Sequence, residues 1–149
     1  MGRLLDAVLA HLGEEEYEYH VESEERVELT FTTNNGVLAT WFTIDEEDEI
    51  VLYVSRCPVF VPEEGRAAAM EFLTRANFGL RIGHFEFDLD DGEVRYKTSI
   101  DVEGDELTPA LVKRLLRPNL VTMDRYLPGL LRVVYGATTP AQEIAAIEG

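Results

Sequence analysis

A single cysteine leaves no internal disulfide to form, and Cys57, followed directly by Pro58, gives no reason to place the chain in an oxidising compartment. With one thiol and three histidines, His11, His20 and His84, none spaced as an HExxH pair, no four-ligand zinc site of the usual kind can be assembled. Positive charge is scarce. Against 29 Asp and Glu stand 13 Lys and Arg, a formal charge of −16 whose field would repel a phosphate backbone, so direct nucleic-acid binding is disfavoured. Long apolar runs are missing too, and nothing reaches the length that crosses a bilayer. The opening stretch MGRLLDAVLAHLG is interrupted by Asp6 and His11 and runs into glutamates where a signal peptide would carry small residues, so it reads as an amphipathic helix. No Ser or Thr lies in residues 2–7 to complete a myristoylation signal. These absences point to a cytoplasmic address with no tie to a membrane.

Catalytic signatures are equally absent. There is no nucleophile elbow, P-loop or dinucleotide fingerprint, and Gly79-Leu80-Arg81-Ile82-Gly83 lacks the third glycine spacing. Asp88, Asp90 and Asp91 fail as a calcium loop: an EF-hand needs Gly at its sixth position, where Glu93 stands, and Glu at its twelfth, where Ser99 stands. The five carboxylates Asp45 to Glu49 lie between two apolar strands and read as a solvated hairpin loop. His84, two residues before Glu86, reads as a surface histidine. Acidic surroundings would hold Cys57 as the thiol. No residue is assigned to catalysis, to a metal or to a cofactor, and the chain is read as a non-enzyme.

What the sequence does carry is patterning for one α+β domain over residues 1–149, long enough to bury a core without staples. Leu5, Val8, Leu9 and Leu12 make one face of a first helix that Gly13 can end. Tyr17, Tyr19 and Val21, set among glutamates, suggest a short edge strand protected by charge. Val27, Leu29, Phe31 and Thr33 alternate with polar residues up to Asn34-Asn35-Gly36, a tight-turn signal. Strands follow over 37–44 and 50–55. Pro62-Glu63-Glu64 starts a helix with a stripe of Ala69, Phe72, Leu73 and Ala76 that Gly79 ends. A hairpin then places Phe85, Phe87 and Leu89 before the Asp90-Asp91-Gly92 turn and Val94, Tyr96, Thr98, Ile100 and Val102 after it. Leu107-Thr108-Pro109 begins a helix that Pro118 is expected to stop, and a further stripe from Leu120 to Val134 is expected to kink or split at Pro128. Thr139-Pro140-Ala141-Gln142 matches a capping box for a tail helix within residues 137–149. The order predicts an antiparallel sheet of five to six strands with helices packed on it, arranged α-β-β-β(-β)-α-β-β-α-α.

Two strands break the alternation. Leu38, Phe42 and Ile44 point one way and Val37, Ala39 and Trp41 the other, while Ile50, Leu52 and Val54 oppose Val51 and Tyr53. A sheet with one wet face alternates cleanly, so these strands predict a second cover, from helices of the same chain or from another chain. Trp41, Tyr53 and Phe60 are the candidate partner or dimer-interface residues on that surface. A separate expectation is a small-molecule or catalytic pocket between the sheet and the C-terminal helices, near Tyr96, Tyr126 and Tyr135.

The residues from Asn77 onward carry a family likeness. Asn77 at a helix end, Gly83-His84-Phe85-Glu86-Phe87-Asp88 running into Gly92-Glu93-Val94-Arg95-Tyr96, Leu107-Thr108 and Asp124-Arg125-Tyr126-Leu127-Pro128 resemble the YbjN-like family, whose domains are similar in fold to type III secretion chaperones. The resemblance implies an antiparallel sheet with helices on one side and a homodimer. It also implies a role in binding another, unidentified protein without enzymatic turnover, as chaperone or as sensory transduction regulator.

Overall fold

Period-two patterning and helical stripes assemble into one antiparallel sheet with all helices on a single face. The computed structural model describes residues 2–149. Its elements are α1 (Arg3–Glu14), β1 (His20–Ser23), β2 (Arg26–Thr32), β3 (Val37–Asp45), β4 (Ile50–Arg56), a 3-10 turn (Glu63–Gly65), α2 (Arg66–Gly79), β5 (His84–Phe87), β6 (Val94–Asp101), α3 (Pro109–Val134) and α4 (Pro140–Glu148). The strand order is β1-β2-β3-β4-β6-β5. After a four-stranded meander, α2 carries the chain to the far edge, and β6 returns between β5 and β4. That outer edge is closed by a side chain: the Asn77 amide donates to the Phe85 carbonyl at 3.1 Å and accepts from the Phe85 N–H at 2.7 Å. An edge strand so plugged offers little to a stray strand at that point.

Two contiguous clusters fill the helix-covered face. Val27, Leu29, Phe42, Ile44, Val51 and Tyr53 meet α1 and the first half of α3, while Phe85, Val94 and Tyr96 meet α2 and the second half of α3. The acidic 45–49 loop is more structured than a solvated hairpin. Glu46 caps α1 by accepting from the N–H groups of Leu4 and Leu5, both at 3.0 Å, where the helix dipole favours a carboxylate, and Glu49 pairs with Arg3. Space is tight at several glycines, among them Gly83, at φ +76°, where a Cβ would stand 2.6 Å from the Lys97 carbonyl. Gly92, at φ +85°, turns the hairpin where a Cβ would stand 2.1 Å from the Val61 carbonyl, and at Gly129 a Cβ would meet Ile147 of α4 at 2.9 Å.

Some boundaries differ from the sequence expectation. Helix α1 runs through Gly13 to Glu14, and the left-handed residue that follows is Glu16 at φ 57°. Strand β5 stops at Phe87, leaving Leu89 54% exposed in the turn. The largest difference is α3, expected as two helices and found as one of 26 residues containing Pro118 and Pro128. Each proline removes an N–H and frees a carbonyl four residues earlier, which ends a helix only if that carbonyl finds no other donor. Asp124, four before Pro128, accepts from the Asn35 amide at 3.0 Å. Arg114, four before Pro118, lies on the exposed side of the helix, where water reaches its carbonyl, and the next carbonyl, that of Leu115, accepts from the Thr98 hydroxyl at 2.6 Å.

Immediately after Pro118, fully buried Asn119 joins α3 to the sheet. Its amide donates to the carbonyls of Tyr53 at 2.8 Å and Tyr96 at 3.0 Å, and its oxygen accepts from the Ser55 hydroxyl at 2.5 Å. At the other end, α4 carries the expected capping box and packs Ile144 and Ile147 against the α2–α3 cluster. Arg132 binds Glu143 at 2.6 Å and Tyr126 donates to Glu148 at 2.8 Å.

Replacing Asn119 by Ala removes three buried hydrogen bonds and leaves the Ser55 hydroxyl without its acceptor, so urea unfolding should show a loss of about 2–4 kcal/mol; an unchanged midpoint would mean that apolar contact alone holds α3. The tail should respond to acid. Its Arg132 hydrogen bond holds the Glu143 carboxyl below the usual range, so its contribution is complete above the unfolded-state value and lost as pH falls through the lower folded one. Hydrogen-exchange protection over residues 140–148 should therefore fall below about pH 4, ahead of β3 and β4.

Candidate protein-binding surface

Antiparallel partners share a face, so the register decides what stands beside Trp41. On the side without helices one row reads Glu28, Trp41, Val54, Lys97 and His84, and the next reads Thr30, Ala39, Arg56, Arg95 and Glu86. A third row holds Arg26, Thr43, Leu52 and Ser99. An apolar centre of Trp41, Val54, Leu52 and Ala39 is thus ringed by four cations. Trp41 is only 6% exposed and Val54 3%, although no helix lies over them.

Long side chains supply the cover. The Arg26 guanidinium carbon stands 4.5 Å from the Trp41 ring centre and that of Arg95 5.1 Å, both within cation–π range. Carboxylates hold these guanidinium groups in place: Arg26 pairs with Glu28 at 3.2 Å and Arg95 with Glu93 at 2.7 Å, while Arg56 reaches the same buried Glu93 at 3.7 Å. Lys97 pairs with Glu86 at 2.9 Å. Phe60, 46% exposed after β4, joins this surface through Arg56, which lies 5.7 Å over its ring. The missing alternation in β3 and β4 therefore has two causes, helices on one face and a lid of arginines on the other.

Tyr53 does not share this surface. It faces the helices at 0% exposure, packs on Phe42 at 4.6 Å and donates its hydroxyl to Thr40 at 2.8 Å; burial raises its pKa. The reason is parity: opposite Trp41 stands Val54, so the adjacent Tyr53 must point away. The three tyrosines expected around a pocket are also dispersed. Tyr96 and Tyr126 are buried in the α2–α3 cluster, with hydroxyls donated to the Ile82 carbonyl and to Glu148, whereas Tyr135 is exposed past the end of α3. Burial and the adjacent Glu148 push Tyr126 up to about 12, which suits a structural hydroxyl. Cys57 is buried, and desolvation raises its thiol pKa away from the reactive thiolate. His84 is exposed, 3.8 Å from Glu86.

One feature had only a partial sequence signal. Phe78 is 95% exposed on the outer face of α2, in a stripe with Ala67, Met70 and Thr74 at helical spacing. Helical spacing already set Phe78 outside the buried stripe of Ala69, Phe72, Leu73 and Ala76, but not that a phenylalanine there would be left wholly uncovered.

Comparisons with known proteins agree with this fold. The family profile described as "YbjN: Putative bacterial sensory transduction regulator" matches residues 4–132, that is, α1 through most of α3 but not α4. Among solved structures, the chain resembles one in the "Crystal Structure of the ExsC-ExsE Complex", with 18% identity, a TM-score of 0.61, and coverage of 87% of this chain and 97% of that one. It also resembles one in the "Structure of the HopA1-SchA Chaperone-Effector Complex", with 16% identity, a TM-score of 0.56, and coverage of 85% and 95%. The crystal structure of YbjN from E. coli, described as a putative transcription regulator, matches with 12% identity, a TM-score of 0.65, and coverage of 88% and 92%. At these identities the likeness is one of fold. No curated protein matches the sequence.

The lone tryptophan makes the lid measurable. Arg26→Ala with Arg95→Ala should raise acrylamide quenching of Trp41 at least twofold in a chain that still unfolds cooperatively, at a melting temperature lowered by the loss of two cation–π contacts and of the Arg95 pair to buried Glu93. Unchanged quenching would mean that other groups shield the ring.

Proposed function

The chain belongs to the YbjN family, and on that premise we propose that it is a non-enzymatic protein-binding module, chaperone-like or regulatory. In this reading residues 1–149 act as one cytoplasmic domain that works as a homodimer and holds a partner protein against the helix-free face of its sheet. The observation that carries it is the cover over Trp41. An apolar centre roofed by a packed helix is closed, because opening it means unfolding a layer. One roofed by two arginine side chains opens by rotamer changes alone, and an apolar group of a partner can take the place of the guanidinium groups while these turn to the partner's polar rim. The scale of the face favours a protein over a small ligand, since its rows cross β2, β3, β4, β6 and β5 without forming an enclosed cavity.

The homodimer draws support from a different place, the outer stripe of α2. A phenylalanine left 95% exposed gives up most of the roughly 1.5–3 kcal/mol that burial would yield, and a second copy of the same stripe would restore it. The two surfaces lie on different layers, so a dimer through α2 leaves the helix-free face open on both copies.

Partners should be captured from the native cytoplasm on the tagged chain, identified, and then titrated as purified proteins. A true partner should change Trp41 emission on binding, and Trp41→Glu should weaken it at least tenfold in a chain whose circular dichroism still shows it folded. Light scattering should give twice the chain mass, and Phe78→Glu should return a folded monomer. A partner that binds Trp41→Glu as well as it binds the native chain would remove the sheet face from this function, and a monomeric native chain would remove the dimer.

A further inference from the structure

Four basic side chains, Arg81, Lys113, Arg114 and Arg117, make neither an ion pair nor a side-chain hydrogen bond among the described residues, in a chain of formal charge −16. Every other Lys and Arg has a partner. Seven are paired with carboxylates, and Arg66 and Arg125 donate to backbone carbonyls. With acids so abundant, free cations would be expected to scatter. Instead three of them share the exposed first half of α3, beside a cleft of about 350 Å³ between α3 and β6. Ile82, Ile100 and Leu111 give the cleft an apolar floor, Arg114, Lys97 and His84 line it, and no carboxylate does.

The same cleft lies along an unpaired backbone. Strand β5 pairs only with Val94 to Lys97, while β6 continues to Asp101, so the second half of β6 has no neighbour on that side. Its direction follows from Asn77. Because Asn77 takes both backbone groups of Phe85, these point away from β6, and the hydrogen-bonding pair is therefore His84 with Lys97. Two residues on, the N–H and C=O of Ser99 turn toward the same empty lane.

We infer that this cleft docks an acidic, extended segment of a partner protein, which pairs with β6 beyond the end of β5 and sets its carboxylates against Arg114, Arg117 and Lys113. A strand in that lane would send alternate side chains toward α3, where the unpaired cations stand, and between them toward the helix-free face near Lys97. The backbone groups and apolar floor favour a peptide over a free anion. The overall negative field disfavours a long nucleic acid and selects a segment short enough to sit within the cationic patch. This inference is independent of the Trp41 face and of the dimer.

Fluorescein-labelled eight-residue peptides alternating Glu with Val, or Lys with Val, test it by anisotropy on the full chain, together with a Glu–Val peptide N-methylated at every second residue to block pairing along one edge. The Glu–Val peptide should bind and the Lys–Val peptide should not. Arg114→Glu with Arg117→Glu should weaken binding at least tenfold, Arg114→Gln with Arg117→Gln less so, and Trp41→Ala should have no effect; N-methylation should weaken it comparably. The substituted arginines are exposed, and unchanged melting temperatures would confirm intact variants. The inference is overturned if the Glu–Val peptide binds no tighter than Lys–Val, if charge reversal leaves its affinity unchanged, if N-methylation has no effect, or if inorganic phosphate or a single-stranded oligonucleotide binds more tightly than the peptide.

Discussion

Asn119 donates to two adjacent strands at once, and the layout of the molecule depends on that pair of bonds. By taking the carbonyls of Tyr53 in β4 and Tyr96 in β6, it seats α3 across the centre of the sheet with one rotational setting. Apolar contact alone is non-directional and would let a 26-residue helix slide or roll. A buried amide satisfied on both its nitrogen and its oxygen leaves one arrangement, because any other strands several polar groups in an apolar layer. With α3 fixed, α1 packs on its first half and α2 and α4 on its second, and all helices lie on one face.

The other face is a consequence. Strands β3 and β4 carry apolar groups on both sides, yet only one side receives helices. The apolar remainder around Trp41 is then shielded by whatever long side chains flank it, here Arg26 and Arg95. Their charges are held in turn by Glu28 and Glu93. A cover made of side chains costs far less to displace than a packed helix, which is the physical basis for proposing a binding role for this face.

Charge is distributed to the same end. Carboxylates occupy turns and edges, where some do structural work, as Glu46 does at the start of α1. Cations are few, and two groups of them stand together, the ring around Trp41 and the exposed first half of α3. The first set is neutralised by neighbours and the second is not, so of the two groups the second leaves an unspent electrostatic attraction.

Much of this was legible in the sequence because it is local. The tight turn at Asn34-Asn35-Gly36, the capping box from Thr139 to Gln142, the Thr108 cap and the alternation of β6 depend on residues a few positions apart, and each determined its element and its inward face. So did the double-sided apolar character of β3 and β4, and the family signature from Asn77 onward. Tertiary structure decided what depends on neighbours distant in the chain. Pro118 and Pro128 read as breaks, but Asn35 arrives with the donor that the Asp124 carbonyl needs, Arg114 lies on the exposed side where water reaches its carbonyl, and the helix continues. Trp41 and Tyr53 read as one surface, but the register sets Val54 opposite Trp41 and turns Tyr53 into the core. Helical spacing turned Phe72 inward, but only the seating of α2 shows that nothing in the chain covers Phe78 on the other side. Periodicity along the chain specifies which side chains share a face; only the docking of one element on another specifies which face is covered, and by what.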